Sequence, residues 1–442
     1  MGLIRLGDKP PLTVAPEDTV VRAARAMTER RVGAATVLEG TVVVGVVTER
    51  DVMEKVVAAG GDPNTTRVRD IMPLSGVGVS RPDALVRAAW AQFAQTNLVS
   101  DIQGLAALRD ANLVNPWGMS FSGTSPFWIS DQNKNLSTLY RINAGVITKV
   151  PLEVAIPTTA AGPQGPTGQV NNGTTLFPVN GTAANFIFAD LNGTISAWNN
   201  SAGTTAQIKV TTPGAVYTGL AQGSNASGPF LYAANGAQNR IDVFDGSFAD
   251  VTATTFAGKF VDPNLPAGFT PFNVQNLNGI IYVTYAPAGR AAQIAATPGQ
   301  GIVDEFDTSG NLIQRLITGS MLAAPWGIAL APAGFGAFGG DLLVGNFSFV
   351  ASEINAFNPT TGAFLGTIPI DNGPGNTPGG LWALAFGNGV TGNSNTLYFT
   401  SGINGERNGL FGAIAVPEPA TLALLGIGLA ALGVTRRKER HE

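Results

Sequence analysis

Six short apolar runs in this chain each end on an oxygen-bearing side chain: FWISD on Asp131, FIFAD on Asp190, LYAAN on Asn235, IYVTY on Tyr285, LLVGN on Asn346 and LYFTS on Ser401. Brought to one place, carboxylate, amide and hydroxyl oxygens form a donor set that suits a hard cation such as Ca2+ better than a soft one. Asp131, Asp190, Asn235 and Asn346 are the candidate ion ligands. Asp131 and Asp190 are the carboxylates that a metal-dependent hydrolase would use as base. The competing role is local, because Asp and Asn cap strand ends and turns well. A second pair, Thr48 and Asp51, stands where an apolar run gives way to a helical pattern. Its spacing is that of a capping box with Asp in the acidic position. A helix start also favours anions, and a carboxylate there can accept protons from hydroxyl groups.

Composition bounds the chemistry further. The 442 residues include no Cys and one His, His441, in a charged tail. Disulfides, thiolate nucleophiles, zinc–cysteine sites and imidazole acid–base chemistry are thereby excluded. The sequence holds no phosphate-cradling glycine loop, nucleophile elbow or catalytic triad. With two carboxylates at the strand ends and no His in the repeats, lactonase-type hydrolysis is under-equipped. A net charge of −4 argues against nucleic acid as a partner.

The elements that must position these residues fall into two parts. Residues 1–90 hold 12 Lys/Arg and 11 Asp/Glu, whereas residues 91–415 hold only 10 and 16. So sharp a change points to two domains of different origin. In the first part, residues 18–31 carry Val20, Val21, Ala24 and Met27 at helical spacing. Residues 35–38 and 42–47 read as buried strands around a Glu39-Gly40 turn, and a second helix runs from Thr48 to Ala59. The order is strand–helix–strand–strand–helix. This module resembles a CBS domain, through Thr13 to Asp18, Glu29 to Ala34 and Gly45 to Asp51. The resemblance implies an adenosine nucleotide as ligand, with Thr48 contacting phosphate and Asp51 the ribose hydroxyls. Residues 68–73 and 79–83 resemble the start of a second repeat that stops within its first helix, so the usual two-repeat cleft is incomplete in one chain.

The second part repeats. Unit openings at residues 116, 166, 217, 271, 325 and 380 recur about every 50–55 residues. Each opening is a strand. A second strand ends on one of the six polar residues above, a third follows, and a turn usually leads into a fourth. Four short strands repeated in this way predict a six-bladed, all-β propeller. The six polar ends would then face one mouth of the central channel. The repeats resemble NHL-type and gluconolactonase-like propellers. Trp117, Trp326 and Trp382 occupy equivalent positions on the innermost strands and read as packing between blades rather than as sugar platforms.

The last 27 residues read as an address. Pro417, Glu418 and Pro419 precede an apolar run over 420–434, and Arg436, Arg437, Lys438 and Arg440 follow it. At 1.5 Å per residue the run spans about 22 Å, short of the roughly 30 Å hydrocarbon core, so it is a marginal single-span helix. The basic cluster places the C-terminus on the cytoplasmic side. This tail resembles the PEP-CTERM sorting signal, which implies an exosortase-type enzyme as partner, membrane attachment and an exopolysaccharide or matrix setting.

The resulting expectation is a multidomain chain. It comprises a small α/β CBS-like module at 1–90, a junction at 91–100, a propeller at 101–415 and an anchor at 416–442. The function it suggests is a non-catalytic binding protein of the cell envelope, with a calcium-dependent lactonase-like hydrolase and a nucleotide sensor as alternatives. The two ends disagree. The start, MGLIRLGDKPPLTV, shows no charged region leading into an apolar core. Residues 89–92 (AWAQ) have the small-x-small pattern of a cleavage site, or else continue a helix, and the joint reads as a fusion of unrelated reading frames.

Overall fold

The computed structural model describes residues 12–30, 34–39, 42–57, 62–71, 93–143, 145–159 and 162–417. The chain divides into two compact units, Met1–Ala91 and Gln92–Glu442.

In the first unit, Thr13–Val14 pairs in parallel with Ala34–Glu39, which pairs antiparallel with Val42–Thr48. The helix Val20–Arg30 buries Val20, Ala23 and Met27, the face set by its three-to-four-residue apolar spacing. These pack with Val14, Ala35, Val37, Val47 and Val56 in one core. Asp18 braces the turn that leads into the helix by accepting from the Ala15 N–H at 2.8 Å. Val68 and Ile71, which the sequence reads as the start of a second repeat, join this same core, and the Val68 N–H donates to the Asp18 carbonyl at 2.8 Å.

The second unit is a propeller of six sheets. Its innermost strands are Pro116–Ser120, Pro166–Asn171, Tyr217–Asn225, Phe269–Leu277, Pro325–Leu330 and Pro378–Phe386. Each innermost strand packs against the next, and the sixth packs against the first, so the ring is closed. The second strands, such as Phe127–Asp131 and Phe186–Asp190, are buried on both faces. Alternate residues therefore serve two different cores. Phe127 and Ile129 pack with Tyr398 and Phe411 of the sixth blade, whereas Trp128 packs with Phe186 and Phe188 of the second. The third blade departs from the four-strand pattern and has three strands.

The boundary at the start of the propeller differs from the sequence expectation. Residues 94–100, read as junction, form a strand that pairs antiparallel with Asn408–Ala415. The first segment of the unit thus supplies an outer strand of the last blade. Residues 89–92 and 420–434, on which the cleavage-site and anchor readings fall, lie outside the described residues. Among the described residues no helix is long and apolar enough to cross a membrane.

Candidate functional site

The six strand-end residues are buried, and five of them make hydrogen bonds within their own blade. The Asp131 carboxylate accepts from Thr138 Oγ1 at 2.7 Å. Asp190 accepts the N–H groups of Gly165 at 3.2 Å and Asn192 at 3.0 Å. Asn235 Oδ1 accepts the Val216 N–H at 3.3 Å, and Asn346 Oδ1 accepts the Ala323 N–H at 2.9 Å. Ser401 Oγ donates to the Gly380 carbonyl at 3.1 Å. In four blades the partner is backbone at or just before the innermost strand, so the side chain staples that strand's entry to the second strand. Tyr285 lies instead beside Asp304 of the third strand; burial, and then the Asp304 charge, raise its hydroxyl pKa well above the ordinary phenol range.

Their electrostatics follow from this burial. Desolvation pushes Asp131 well above the usual carboxylate range, against the Thr138 hydrogen bond. It pushes Asp190 to about 6, against the backbone donors Asn192 and Gly165. Among the described residues no group of three or more His, Cys, Asp or Glu side chains is placed to hold a metal ion. The carboxylates Asp131 and Asp190 belong to different blades, and neither lines the channel mouth.

What does line that mouth is a set the sequence did not single out. A cavity of about 480 Å³ opens there, within the range of small-molecule sites. Its rim comes from turns between second and third strands. Gln132 and Asn133 belong to the first blade and Glu406 to the sixth, while the short helix Arg290–Ile294 is inserted in the fourth. The aromatic part of its lining is Trp117 and Phe272, and a cluster of further rings packs behind them as the floor. Trp117 and Trp382 stack with centroids 3.5 Å apart, and Trp326 meets them edge-on at 6.3 and 5.7 Å. Phe347 stacks on Trp382 at 4.4 Å. The tryptophans thus pack on one another across the axis and plug the channel. Trp326 Nε1 donates across it to the Thr218 carbonyl at 2.8 Å, and Trp382 Nε1 donates to Asn115 Oδ1 at 2.9 Å.

Arg290 lies on this floor. Its guanidinium carbon is 4.2 Å from the centre of the Phe347 ring, 5.5 Å from Trp382 and 5.8 Å from Trp117. Cation–π attraction of this kind is worth about 0.5–2 kcal/mol. Arg290 also pairs with Glu406, whose other oxygen accepts from Asn115 Nδ2 at 3.1 Å. Glu406 is held in a left-handed conformation, φ +65°, which is uncommon for a side chain with a Cβ and points to positioning. Arg290 leaves 39% of its side chain exposed, while in the guanidinium Nη2 pairs with Glu406 and Nη1 is buried without a hydrogen-bond partner. The signal available in the sequence was scarcity: Arg290 is one of only 10 basic residues between positions 91 and 415.

In the first unit, Thr48 and Asp51 form a reciprocal cap. Thr48 Oγ1 and N–H both donate to Asp51 Oδ2, at 2.6 and 3.0 Å, and the Asp51 N–H donates back to Thr48 Oγ1 at 3.1 Å. Pro417 is exposed at the end of the propeller, and Glu418, Pro419, Arg436 and Arg437 lie outside the described residues.

Comparison with known proteins identifies the two ends. The CBS domain family matches residues 5–58, and the PEP-CTERM protein-sorting motif matches residues 415–438. The chain carries a CBS domain at its N-terminus and a PEP-CTERM sorting motif at its C-terminus. The motif implies a cell-envelope or exported protein processed by an exosortase-type enzyme. The chain is 28% identical over 328 residues to Uncharacterized protein R648 of Acanthamoeba polyphaga mimivirus, covering 72% of this chain and 78% of the relative. Among solved structures, a cystathionine beta-synthase domain protein fused to a Zn-ribbon-like domain is 43% identical, covering 15% of this chain and 97% of that one, with a TM-score of 0.15. A glucose dehydrogenase is 12% identical, covering 74% of this chain and 100% of that one, with a TM-score of 0.47.

Proposed function

We propose that this protein is a binding protein of the cell envelope whose propeller holds a small, acceptor-rich ligand in the Arg290 mouth. One observation carries the reading: a guanidinium at the cavity, clamped over three aromatic rings and oriented by Glu406, whose buried Nη1 has no partner from the protein. Both Glu406 oxygens are engaged by the protein, so the carboxylate serves to aim Arg290. The unpartnered Nη1 is a charged N–H donor, and a ligand oxygen such as that of a carboxylate is the acceptor that suits it. The aromatic floor beneath suits the apolar face of the same ligand.

The sorting motif supports the envelope setting. The apolar segment 420–434 is the proposed membrane attachment, and exopolysaccharide or matrix components are the surroundings the propeller would meet there. Asp131 and Asp190 sit in different blades and each bonds within its own, which does not favour a shared calcium site for a hydrolase, although Asp131 Oδ1 has no protein partner. For the CBS unit the proposed ligand is an adenosine nucleotide, with Thr48 and Asp51 as contacts at the start of the second helix.

The mouth is tested by titrating the protein with small carboxylates, glucuronate and succinate, followed by calorimetry. Binding is expected for the natural chain, and Arg290→Gln should weaken it by tenfold or more, about 1.4 kcal/mol. Undiminished binding in Arg290→Gln, or no binding of any carboxylate to the natural chain, would overturn the assignment.

A further inference from the structure

The aromatic plug divides the channel, and a second cavity of about 460 Å³ opens on its other side, where the innermost strands end. Its chemistry is opposite to that of the Arg290 mouth. Among the described residues that line it none is charged. Carboxamides and one hydroxyl dominate the polar part: Ser120 from the first blade, Gln169 and Asn171 from the second, Gln222 from the third, and Gln275 and Asn276 from the fourth. The sixth blade contributes an apolar wall, Ala383, Leu384 and Ala385. Polar groups therefore face an apolar surface across the cavity.

The amides are held in place by bonds that use only part of their capacity. Asn171 Nδ2 donates to the Asn185 carbonyl at 2.9 Å, Gln222 Nε2 to Asn172 Oδ1 at 2.8 Å, and Asn276 Nδ2 to the Gln222 carbonyl at 2.8 Å. Each amide carries two N–H donors and two acceptor lone pairs, so donors and acceptors remain on side chains whose orientation is already fixed. Deeper in the wall, Gln169 is buried, and its Nε2 donates to the carbonyls of Gly118 at 2.9 Å and Trp128 at 2.5 Å. Those two carbonyls settle which end of the amide is nitrogen. They leave Gln169 Oε1 a buried acceptor with no partner from the protein, and Ser120 Oγ is unpartnered in the same way. Leaving a buried polar group unpaired costs about 1–3 kcal/mol, so such groups mark places where a partner is expected.

We infer that this second mouth is a binding site for a neutral polyhydroxylated ligand, a sugar residue. Hydroxyl groups both donate and accept, which matches mixed amide donors and acceptors and asks for no charge. The ring of a sugar has a polar edge and an apolar face, which fit the amide side and the Ala383–Ala385 wall respectively. Ser120 and Gln169 both line this cavity. The innermost ligand hydroxyl then bonds to Ser120 and, through it or directly, to Gln169 Oε1. The site is separate from the Arg290 mouth, so either can be disabled alone.

The test uses the full chain and a panel of neutral sugars, glucose, galactose, mannose and their linear disaccharides, with saturation-transfer NMR and calorimetry. At least one neutral sugar should bind. Ala385→Trp, which fills the mouth from the apolar side, should abolish that binding, and Gln275→Ala should weaken it by about tenfold. Arg290→Gln should leave it unchanged. Preference for a disaccharide over its monosaccharide would identify a chain of sugars as the natural source. Failure of every neutral sugar to bind overturns the assignment. So does binding that survives Ala385→Trp in a protein that melts like the natural one, or binding that falls only in Arg290→Gln.

Discussion

Asp304, on the third strand of the fourth blade, is fully buried and has no hydrogen bond to either carboxylate oxygen. Burial, and then the neighbouring Asp262 charge, push it up to about 7, with Arg315 pulling the other way. The folded protein therefore holds a proton that the unfolded chain releases near pH 4. Between those values the folded state binds more protons, so stability falls as pH rises from about 4 to about 7. Asp304→Asn should flatten this slope and stabilise the protein at pH 8 by about 2–4 kcal/mol, read from urea midpoints at pH 4, 6 and 8. A natural chain equally stable across that range would refute the assignment. Asp304 shows why the polar residues were only half legible in the sequence. The pattern of strand ends located Asp131, Asp190, Asn235, Tyr285, Asn346 and Ser401 in equivalent places, but period-two alternation does not say whether a strand's last side chain faces the channel or its own blade. Buried polar groups pair with what is nearest. Here the nearest groups are the backbone entering the innermost strand and the polar residue on the third strand.

At the scale of elements, the strands of the propeller were legible because each is a short apolar run bounded by Gly, Asn, Asp and Pro. Less legible was how tightly the innermost strands approach. Each of them carries a register irregularity that begins within its first three residues. A Cβ on Gly118 would run into the Thr167 carbonyl of the next blade, and one on Gly168 into the Leu220 backbone. Glycine is required there by close backbone approach. The closing strand Ala94–Ser100 was not legible at all, because its partner is more than 300 residues away in sequence. Asp101 fastens it by accepting from Asn408 Nδ2 at 2.7 Å and from the Gly409 N–H at 2.8 Å. Sealing the ring with a strand from the other end of the unit makes those bonds a clasp on the whole circle. Asp101→Ala should cost about 1–3 kcal/mol, with a matching fall in melting temperature. Hydrogen exchange should then quicken first in Asn408–Ala415, the strand it fastens. Unchanged exchange in that strand would show that the clasp lies elsewhere.

At the scale of the whole molecule, the charge division seen in the sequence corresponds to two separate hydrophobic cores. Among the described residues the CBS unit has one core of its own, around Val20, Met27, Val37 and Val47, and the propeller's hydrophobic clusters contain none of them. Two cores that share no residue are expected to melt as two transitions, and the independence can be probed with the ligand class proposed for the first unit. A ligand that binds only the folded CBS unit stabilises it by RT ln(1 + [L]/Kd), about 2.7 kcal/mol at a hundredfold excess over Kd. Calorimetry of the full chain with AMP, ADP or ATP should therefore raise the melting of the smaller transition and leave the propeller transition where it was. Asp51→Ala would confound the result, because it removes the Thr48 cap as well as the proposed nucleotide contact. Thr48→Ser is the cleaner variant, since it keeps the cap hydroxyl and should keep the shift. If both transitions move together, the units are coupled and the nucleotide acts on the propeller through the CBS unit. If neither moves with any adenosine nucleotide, Thr48 and Asp51 serve only to cap their helix, and the sorting motif and the propeller are left to define what the protein does.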